Sequence, residues 1–439
     1  MMVSTKNLNI DKTGKILVTN ELQKLIDSND ELYINEGTYL VGPLFLHNNF
    51  KLHLEEGAIL CATIDENEYK DIFTRVAGIE MNWYPAIINA INANNITIDG
   101  KGTIFGNGPY WYNKYWGNDT KGGMREIYDR EGIRFLCDYD CKRPRNLLIS
   151  NCYNVTIKDI TSKDSGFWNI HILYSHDVLI DGIIIDSGLL NSPSTDGIDI
   201  DSSHDVKIVK IIGETNDDSI AIKSGRDFDG IRVGIPCYNI EIADCLIKKG
   251  FGITLGSELS AGIYNVNIHD IKFDNTDCAF RIKSSNMRKG YVKNISFTKI
   301  VCNNVKYLFH VNLNWNPGYN KCRIPDSYKG EIKEYYHTLL KTDNSLPNTV
   351  IDDIHISNVK ADYSPNYEGI SRVFHLEGLD DSHIRNIYMN DMDINAIEYG
   401  FIKNTDNLDI KNSIINTKVQ CIAENNDYDS RWFLWKWKR

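Results

Sequence analysis

The chain has 439 residues, of which 42% are hydrophobic, 24% charged and 11% aromatic. This composition is typical of a soluble globular protein with enough apolar side chains for a large core. The formal net charge of −11 argues against a nucleic acid or an anionic membrane as partner, because like charges repel. An acidic ligand would therefore need a local basic site.

The N-terminal segment contains no apolar run as long as that of a signal peptide, and no window approaches the roughly 18 apolar residues of a membrane span. We therefore expect a cytoplasmic protein. Within "VTNELQKLID", Leu22, Leu25 and Ile26 lie on one face of a helix. This face predicts a short capping helix in an N-terminal cap over residues 1–30, since the ends of a repetitive fold must be covered.

A short motif then recurs along the chain: Asn or Asp, an aliphatic residue, any residue, and Ile or a substitute. Its copies begin at Asn95, Asn154, Asp177, Asp205, Asn239, Asn265, Asn294, Asp353, Asn386 and Asn407. Most successive copies lie about 22 to 33 residues apart, and each is a short alternating strand bounded by residues that accept turn conformations. Because helix-period patterning is nearly absent, the repeat predicts an all-β fold, a right-handed parallel β-helix that forms one domain over residues 1–439.

Ten cysteines are scattered along the chain, mostly inside strand-like segments such as "IADCLI". They are predicted to be reduced core residues. Cys137 and Cys141 form one close pair, but no second Cys or His pair lies at the spacing of a zinc site. We therefore predict no structural metal there.

The stretch from Ser194 to Gly225, "STDGIDIDSSHDVKIVKIIGETNDDSIAIKSG", is unusually rich in aspartate. In a β-helix, the strands "IDID", "IAIK", "ITLG" and "FRIK" can be aligned as neighbours, with their Ile and Leu positions facing inward together. The period of two then predicts an outward set: Asp199, Asp201, Ala221, Lys223, Thr254, Gly256, Arg281 and Lys283. The positions just before these strands hold Asp196, Asp218 and Phe251.

This alignment brings Asp196 near Asp218, with Asp217 adjacent, and puts Arg281 and Lys283 two strands further along the same face. Strand termination explains most single aspartates of the chain, but the convergence of three acids and two cations favours a catalytic site. Carboxylates this close cannot all ionise at their ordinary pKa values. We therefore expect the cluster to retain one proton near neutral pH.

At these residues the chain resembles glycoside hydrolase family 28, the polygalacturonases and their relatives. The ordered segments "STDG" at 194, "NDDS" at 216, "GFGITLGSE" at 250 and "RIKSS" at 281 are similar to the family's Asn-Thr-Asp, Asp-Asp, Gly-His-Gly and Arg-Ile-Lys motifs. The similarity runs from about residue 33 to 315. It is clearest to bacterial exo-acting members, in "DDSIAIKSGRD" and "LGSELSAG".

The resemblance implies an inverting, exo-acting glycoside hydrolase that needs no cofactor. Its expected substrate is an α-linked, galacturonic-acid-containing pectic oligosaccharide or polysaccharide. By position, Asp217 would be the general acid that protonates the glycosidic oxygen. Asp196 and Asp218 would hold and deprotonate the attacking water. An acidic oligosaccharide is then the expected partner, and an enzyme that finishes imported oligosaccharides is the expected role in the cytoplasm.

The same resemblance assigns the uronate carboxylate to Arg281 and Lys283, with Lys223 able to add to this basic patch. Two positions depart from the family pattern: Ser194 replaces Asn, and Phe251 replaces His. A ring at 251 cannot replace the polar contacts of a histidine but can stack on a sugar. The substrate could therefore be rhamnogalacturonan-type, xylose-substituted or otherwise decorated, while a groove wall that merely contains Phe251 remains an equal alternative.

Further aromatic residues lie near these motifs. The segment "PYWYNKYW", residues 109–116, holds five aromatics in eight residues outside the repeat, which favours a loop that stacks on sugars over core packing. Trp168 and His171 match positions near the family's groove, although a buried structural histidine is as good an interpretation. The C-terminal "RWFLWKWKR" is interpreted as part of a docked cap, residues 420–439.

Two other functions fit the same residues. A calcium-dependent pectate lyase would bind Ca²⁺ at the clustered aspartates and use Arg281 to abstract a proton. A non-catalytic glycan-binding solenoid would need none of the acids. The order of the four motifs favours the hydrolase over both.

Overall fold

The structure, a computed structural model, describes residues 1–320, 322–343 and 345–419. Nearly all strands in these ranges pair in parallel with the next coil of the chain, and long strands join the pairings into one sheet of 32 strands. The pairings form three rows, here called rows A, B and C. This arrangement confirms the predicted parallel β-helix, whereas the predicted C-terminal cap over residues 420–439 lies outside the described residues.

Each row is a stack of strands from successive coils. Row A contains Leu44–Leu46, Ile88–Ile91, Leu147–Ser150, Ile170–Leu173, Ile198–Asp201, Ile220–Lys223, Ile253–Gly256, Cys278–Lys283, Tyr307–Asn312, Arg372–Glu377 and the end of Ile384–Lys403. Row B contains Met2–Ser4, Glu31–Ile34, Lys51–Leu54, Ile96–Gly100, Tyr153–Lys158, His176–Asp181, His204–Val209, Cys237–Ala243 and Thr405–Lys411. Row C contains Thr13–Leu17, Gly37–Val41, Ala58–Ala62, Thr103–Phe105, Thr161–Lys163, Ile184–Ser187, Ile212–Thr215, Leu246–Lys249 and Ile414–Val419. The long strands Ile263–Asp274, Tyr291–Asn303, Val350–Asp362 and Ile384–Lys403 bend from row B into row C.

The core is a column of aliphatic side chains inside the coils. In row A, Ile198 pairs with Ile220, Ile220 with Ile253, and Ile253 with Phe280, and all four are fully buried. Each such side chain contributes about 1.5–3 kcal/mol to folding relative to an exposed one. A shift of one residue would turn this column outward, so burial fixes the register of the whole stack.

The coils turn at residues in the left-handed conformation. Every motif copy begins at an Asn or Asp with a positive φ, for example 53° at Asn239, 55° at Asn265 and 53° at Asn294. Their side chains also bond from coil to coil: the Asn265 amide donates to Asn239 at 3.2 Å and accepts from Asn294 at 2.7 Å. The repeat therefore has two causes, tolerance of the turn conformation and a ladder of side-chain amides.

The predicted capping helix is present as Thr19–Ser28, with Leu22 and Ile26 fully buried. It packs on the first coils at Glu31–Ile34 and Leu44–Leu46. The other helices are Gly108–Trp116, Met124–Arg130, Cys137–Asp140, Asp227–Val233, Pro317–Asn320 and Glu334–Leu340, with 3₁₀ turns at Glu66–Glu68 and Arg134–Leu136. Among the described residues no helix has the length and apolar character needed to cross a membrane.

Two insertions and a hairpin stand outside the coils beside row A. The hairpin pairs Ile72–Val76 with Ile79–Trp83, and the insertions span about residues 107–145 and 312–348. A small second hairpin, Gly117–Asn118 with Lys121–Gly122, lies in the first insertion. All three segments share one apolar cluster that includes Trp83, Phe135, Phe167 and Tyr336. This cluster fixes the insertions over the outer face of row A.

We predict that Asn265→Ala lowers the free energy of unfolding by about 1–2 kcal/mol, because alanine resists the left-handed conformation and breaks two rungs of the amide ladder. Urea denaturation followed by circular dichroism measures this. Asn267→Ala is the matched control, since Asn267 is exposed on the same strand. Asn265→Gly should recover part of the loss. Equal stability of the Asn265→Ala and Asn267→Ala variants would contradict the ladder's contribution.

Candidate active site

The acids and cations that the alignment of the four strands predicted lie together on the outer face of row A. Asp199 pairs with Ala221, Ala221 with Thr254, and Thr254 with Arg281. Two residues further along the same strands, Asp201 pairs with Lys223 and Gly256 pairs with Lys283. The predicted register of the four strands is therefore confirmed.

Three aspartates meet at the N-terminal ends of these strands. Asp196 precedes the strand Ile198–Asp201, and Asp217 and Asp218 precede Ile220–Lys223. One carboxylate oxygen from each of the three lies within 4.8 Å of the others, a spacing that could also hold a metal ion. Asp196 and Asp218 are buried, whereas Asp217 is half-exposed, so Asp217 is the acid most open to a ligand.

Asp218 lies in a basic surrounding. Lys283 Nζ lies 2.5 Å from its Oδ2, and Arg281 Nη1 lies 3.5 Å from its Oδ1. The Thr254 hydroxyl donates to the same Oδ1 at 2.7 Å. Burial acts to raise the pKa of Asp218, but Lys283 and Arg281 outweigh it and hold this pKa below its ordinary value. Asp218 is therefore an ionised carboxylate, able to accept a proton.

Asp196 lies in the opposite electrostatic setting. Burial raises its pKa well above the ordinary value, against the attraction of Lys223. Lys223 Nζ is shared among three carboxylates, at 3.3 Å from Asp196, 2.9 Å from Asp199 and 3.7 Å from Glu258. Burial also raises the pKa of Asp199, to about 7. Within the cluster of three aspartates, the protonated form is therefore favoured at Asp196, and it is also favoured at the neighbouring Asp199.

Glu258 is a site residue that the sequence argument missed. Its side chain is 6% exposed, near Lys223, and it accepts from the Ser257 hydroxyl at 3.0 Å. It lies two residues beyond the strand Ile253–Gly256, at the end of the quoted segment "GFGITLGSE". That position was the available signal, but strand alternation alone does not show where a residue after the strand points.

A cavity opens above these residues and encloses about 830 Å³ of empty space, including the part open to solvent. Asp196, Asp217, Asp218, Lys223, Arg281 and Lys283 all line it. Trp168 and Trp315 cover the lysines: Lys223 Nζ is 4.0 Å from the Trp168 ring centroid and Lys283 Nζ is 4.8 Å from that of Trp315.

The insertion over residues 107–145 reaches both flanks of the groove along row A. On the flank that precedes the strands, Arg143 donates to the Pro193 carbonyl at 2.7 Å. On the flank that follows them, Tyr139 accepts from Arg226 at 2.9 Å, and the Arg134 guanidinium lies 5.0 Å from the ring centroid of Tyr319. The insertion therefore forms a wall across the groove.

Phe251 does not belong to the cavity wall that the described residues form. Its ring is 4% exposed and lies 5.3 Å from the Arg281 guanidinium. Its backbone N–H donates to the Asp217 carbonyl at 3.0 Å. The ring thus lies behind the described wall, which fits neither sugar stacking nor the groove-wall alternative, and it packs against Arg281 from one side.

The aromatic segment at 109–116 is not a loop, as the sequence suggested, but most of the helix Gly108–Trp116. Trp111 and Tyr112 are fully buried, and only Tyr115 and Trp116 reach the cavity. The prediction of a loop was wrong because rings at three- and four-residue spacing pack on one helix face. Stacking of Tyr115 or Trp116 on a sugar stays a prediction. His171 is also fully buried, 3.5 Å from Asp201, so it is a structural histidine outside the cavity wall described above.

The sequence model for glycosyl hydrolases family 28 matches residues 74–334. The chain belongs to this family. The match includes the three aspartates, both cations of the basic patch and most of the two insertions. The family's description agrees with the hydrolase expectation rather than with the lyase or the non-catalytic solenoid.

Among curated relatives, a probable polygalacturonase from Vitis vinifera is 30% identical over 293 residues, 65% of this chain and 56% of the relative. An exo-poly-alpha-D-galacturonosidase from Dickeya chrysanthemi is 24% identical, over 66% of this chain and 53% of the relative. The chain therefore spans little more than half the length of these relatives. A solved exopolygalacturonase from Thermotoga maritima is similar at a TM-score of 0.74 and 25% identity, covering 96% of this chain and 91% of that one.

The raised pKa of Asp199 has a consequence for stability. A carboxyl group with a folded pKa near 7 and an ordinary pKa of 3.8 stabilises the fold at low pH, and this contribution is lost as the pH rises through about 7. We predict that the melting temperature falls less between about pH 5 and pH 8 in Asp199→Asn than in the unmodified protein. Differential scanning fluorimetry measures both.

Asp177→Asn is the control, because the Asp177 side chain is 64% exposed and far from Lys223 in the row order. Its melting temperature should fall with pH as much as that of the unmodified protein. The same fall in Asp199→Asn would show that Asp199 does not bind the proton in the folded state.

Proposed function

We propose that this protein is an exo-acting hydrolase of α-linked galacturonic-acid chains, similar in activity to polygalacturonases. The observation that carries the proposal is the single cavity in which three carboxylates adjoin Arg281 and Lys283. A chain of net charge −11 repels a polyanion over most of its surface, so a buried pair of cations beside the acids favours a negatively charged substrate.

In the proposed mechanism, Asp217 donates a proton to the glycosidic oxygen as the bond breaks. Its half-exposed carboxyl group is the one that a substrate oxygen can approach. Asp218, kept ionised by Lys283 and Arg281, removes a proton from the attacking water. Asp196, with its raised pKa, holds that water through a hydrogen bond. The proton that Asp218 takes from the water afterwards replaces the one that Asp217 gave to the leaving oxygen.

We propose that the reaction inverts the anomeric centre. In a two-carboxylate inverting site the groups lie about 6.5–9.5 Å apart, leaving room for a water. The oxygens here lie within 4.8 Å, but three carboxylates share the task. Asp196 and Asp218 approach the water from two sides, and neither needs to reach the anomeric carbon.

The uronate carboxylate of the substrate is proposed to bind Arg281 and Lys283. Lys283 keeps donors beyond the one directed at Asp218, because an ammonium group offers three, and the Trp315 ring limits water around it. Lys223 is enclosed by three carboxylates and serves to hold Asp196 in place. A free uronate would have to displace one of them.

Exo action is proposed from the wall across the groove. A polymer that continued in both directions would collide with Arg134, Tyr139 and Tyr319, which join the two flanks. A chain end fits a groove that is walled across in this way. The curated Dickeya chrysanthemi relative and the Thermotoga maritima structure bear exo-type names, which agrees with this proposal.

We predict that Asp217→Asn and Asp218→Asn each reduce kcat on a galacturonate oligomer by at least about a hundredfold, the scale of a lost acid or base. Reducing-end release measures kcat, and the melting temperature shows that folding is intact. Asp205→Asn is the control, since its side chain is 47% exposed on row B. Turnover within about threefold of the unmodified protein in both variants would end the assignment.

The substrate is tested with defined galacturonan and rhamnogalacturonan oligomers of equal length, with NMR of the products. We predict that galacturonan oligomers shorten by one unit from an end and that the first product has the β-configuration, as expected for inversion of an α-linkage. A chelator should leave the rate unchanged, and no product absorbing in the near ultraviolet should form. Cleavage at internal bonds from the start would exclude exo action.

A further inference from the structure

We propose that Glu258 is a specificity-determining residue that accepts hydrogen bonds from hydroxyl groups of the sugar bound between the three aspartates and the wall. This inference rests on the proposed function, which it makes more specific. It concerns the flank of the cavity that follows the strands of row A, whereas the three aspartates lie on the flank that precedes them.

The Glu258 side chain is an acceptor held in a fixed orientation at the cavity. It lines the same cavity as the three aspartates, and its Oε1 accepts from the Ser257 hydroxyl at 3.0 Å and from the Tyr319 hydroxyl at 3.5 Å. The backbone carbonyl of Glu258 accepts from the Ser224 N–H at 2.7 Å. Gly78 of the hairpin packs so closely that a Cβ there would lie 2.6 Å from the Glu258 Cγ. These contacts leave the carboxylate little freedom to turn away from the cavity.

The second carboxylate oxygen of Glu258 is available to a ligand. Oε2 receives no hydrogen bond from the described residues, and Lys223 Nζ lies 3.7 Å from it, beyond hydrogen-bond distance. The oxygens of Asp199, the nearer partner of Lys223, are fully enclosed, whereas Oε2 is not. An acceptor in the cavity wall therefore remains for a bound molecule.

This acceptor is ionised. Burial acts to raise the pKa of Glu258, but Lys223, Arg288 and Lys283 outweigh it and lower this pKa. An ionised carboxylate can only accept hydrogen bonds, so its partner must be a donor. A galacturonate unit offers a carboxylate, which is also an acceptor, and hydroxyl groups, which are donors. The hydroxyl groups are therefore its partners.

The position of Glu258 decides which sugar it meets. Lys223 Nζ lies 3.3 Å from Asp196 and 3.7 Å from Glu258, so a single ammonium group lies between the acids and Glu258. Tyr319, which donates to Glu258, belongs to the wall across the groove. A chain that ends at this wall places its terminal sugar between Asp196 and Glu258, next to the bond that is cleaved.

Charges of opposite sign around this sugar fix its orientation. Glu258 repels a uronate carboxylate, whereas Arg281 and Lys283 attract it. The terminal sugar thus binds with its carboxylate toward the two cations and with hydroxyl groups toward Glu258. A sugar that lacks the hydroxyl group at this position leaves the ionised acceptor without a donor, which lowers affinity.

The test combines a change in the substrate with Glu258→Gln. A panel of monodeoxy trigalacturonates, each lacking one ring hydroxyl of a terminal sugar, is compared with trigalacturonate in kcat/KM. We expect at least one analogue to lose at least about tenfold with the unmodified protein, the scale of a hydrogen bond to a charged group. With Glu258→Gln the same analogue should lose less than about threefold, because both changes remove one interaction. The amide oxygen keeps the bond from Ser257, so the amide nitrogen, a donor, replaces Oε2.

Glu241→Gln is the matched control, because Glu241 also pairs with a lysine, Lys207 at 3.0 Å, but is 39% exposed on row B. It should keep the full loss for the same analogue. A merely structural role of Glu258, as a partner of Lys223, would lower kcat/KM on trigalacturonate and on every analogue by the same factor. Losses that are equal in the unmodified protein and in Glu258→Gln for every analogue overturn the inference.

The unmodified protein alone supplies a second measurement, which does not depend on the folding of a variant. If no analogue loses as much as about tenfold in kcat/KM, the role of Glu258 is overturned while the proposed function stands, because trigalacturonate is still hydrolysed. Failure to hydrolyse trigalacturonate itself overturns the proposed function and this inference together.

Discussion

The parallel register between successive coils is the constraint on which the rest of this molecule depends. Because the inner face of most strands is filled by buried hydrophobic side chains, a coil cannot slip by a residue without exposing its core. The opposite face inherits the same register. Asp199, Ala221, Thr254 and Arg281 are neighbours although more than eighty residues of chain separate the first from the last. The packing of the core thereby fixes the positions of the acidic and basic side chains on the outer face.

The register also gives neighbouring carboxyl groups along row A different pKa values. Two cations flank Asp218 and lower its pKa, while one lysine is divided among Asp196, Asp199 and Glu258, and burial raises the pKa of the first two. Neighbouring carboxyl groups thus differ in protonation at the same pH. The cavity therefore contains both a protonated carboxyl group and an ionised carboxylate, as a site that must hold one proton and accept another requires.

The insertions change a groove that runs along row A into a cavity with a wall across it. A bare β-helix offers a face that a polymer can cross from end to end, whereas here the hairpin and both insertions pack on one apolar cluster beside row A. Buried arginines then tie them to the coils: Arg143 to the Pro193 carbonyl, Arg226 to Tyr139, and Arg288 to Asn320 and to the Ser257 carbonyl. Each guanidinium joins several groups at once, which suits a wall built from segments far apart in sequence.

The sequence by itself determined the repeat, the parallel β-helix, the capping helix at Thr19–Ser28 and the convergence of Asp196, Asp217 and Asp218 with Arg281 and Lys283. These follow from alternation and from Asn and Asp at turns, which act over a few residues and repeat identically on each coil. Only the tertiary structure decided that residues 109–116 pack as a helix, that Phe251 lies behind the cavity wall, and that Glu258 and Asp138 reach the cavity. Those positions depend on contacts between non-repeating segments, and no local periodicity encodes such contacts.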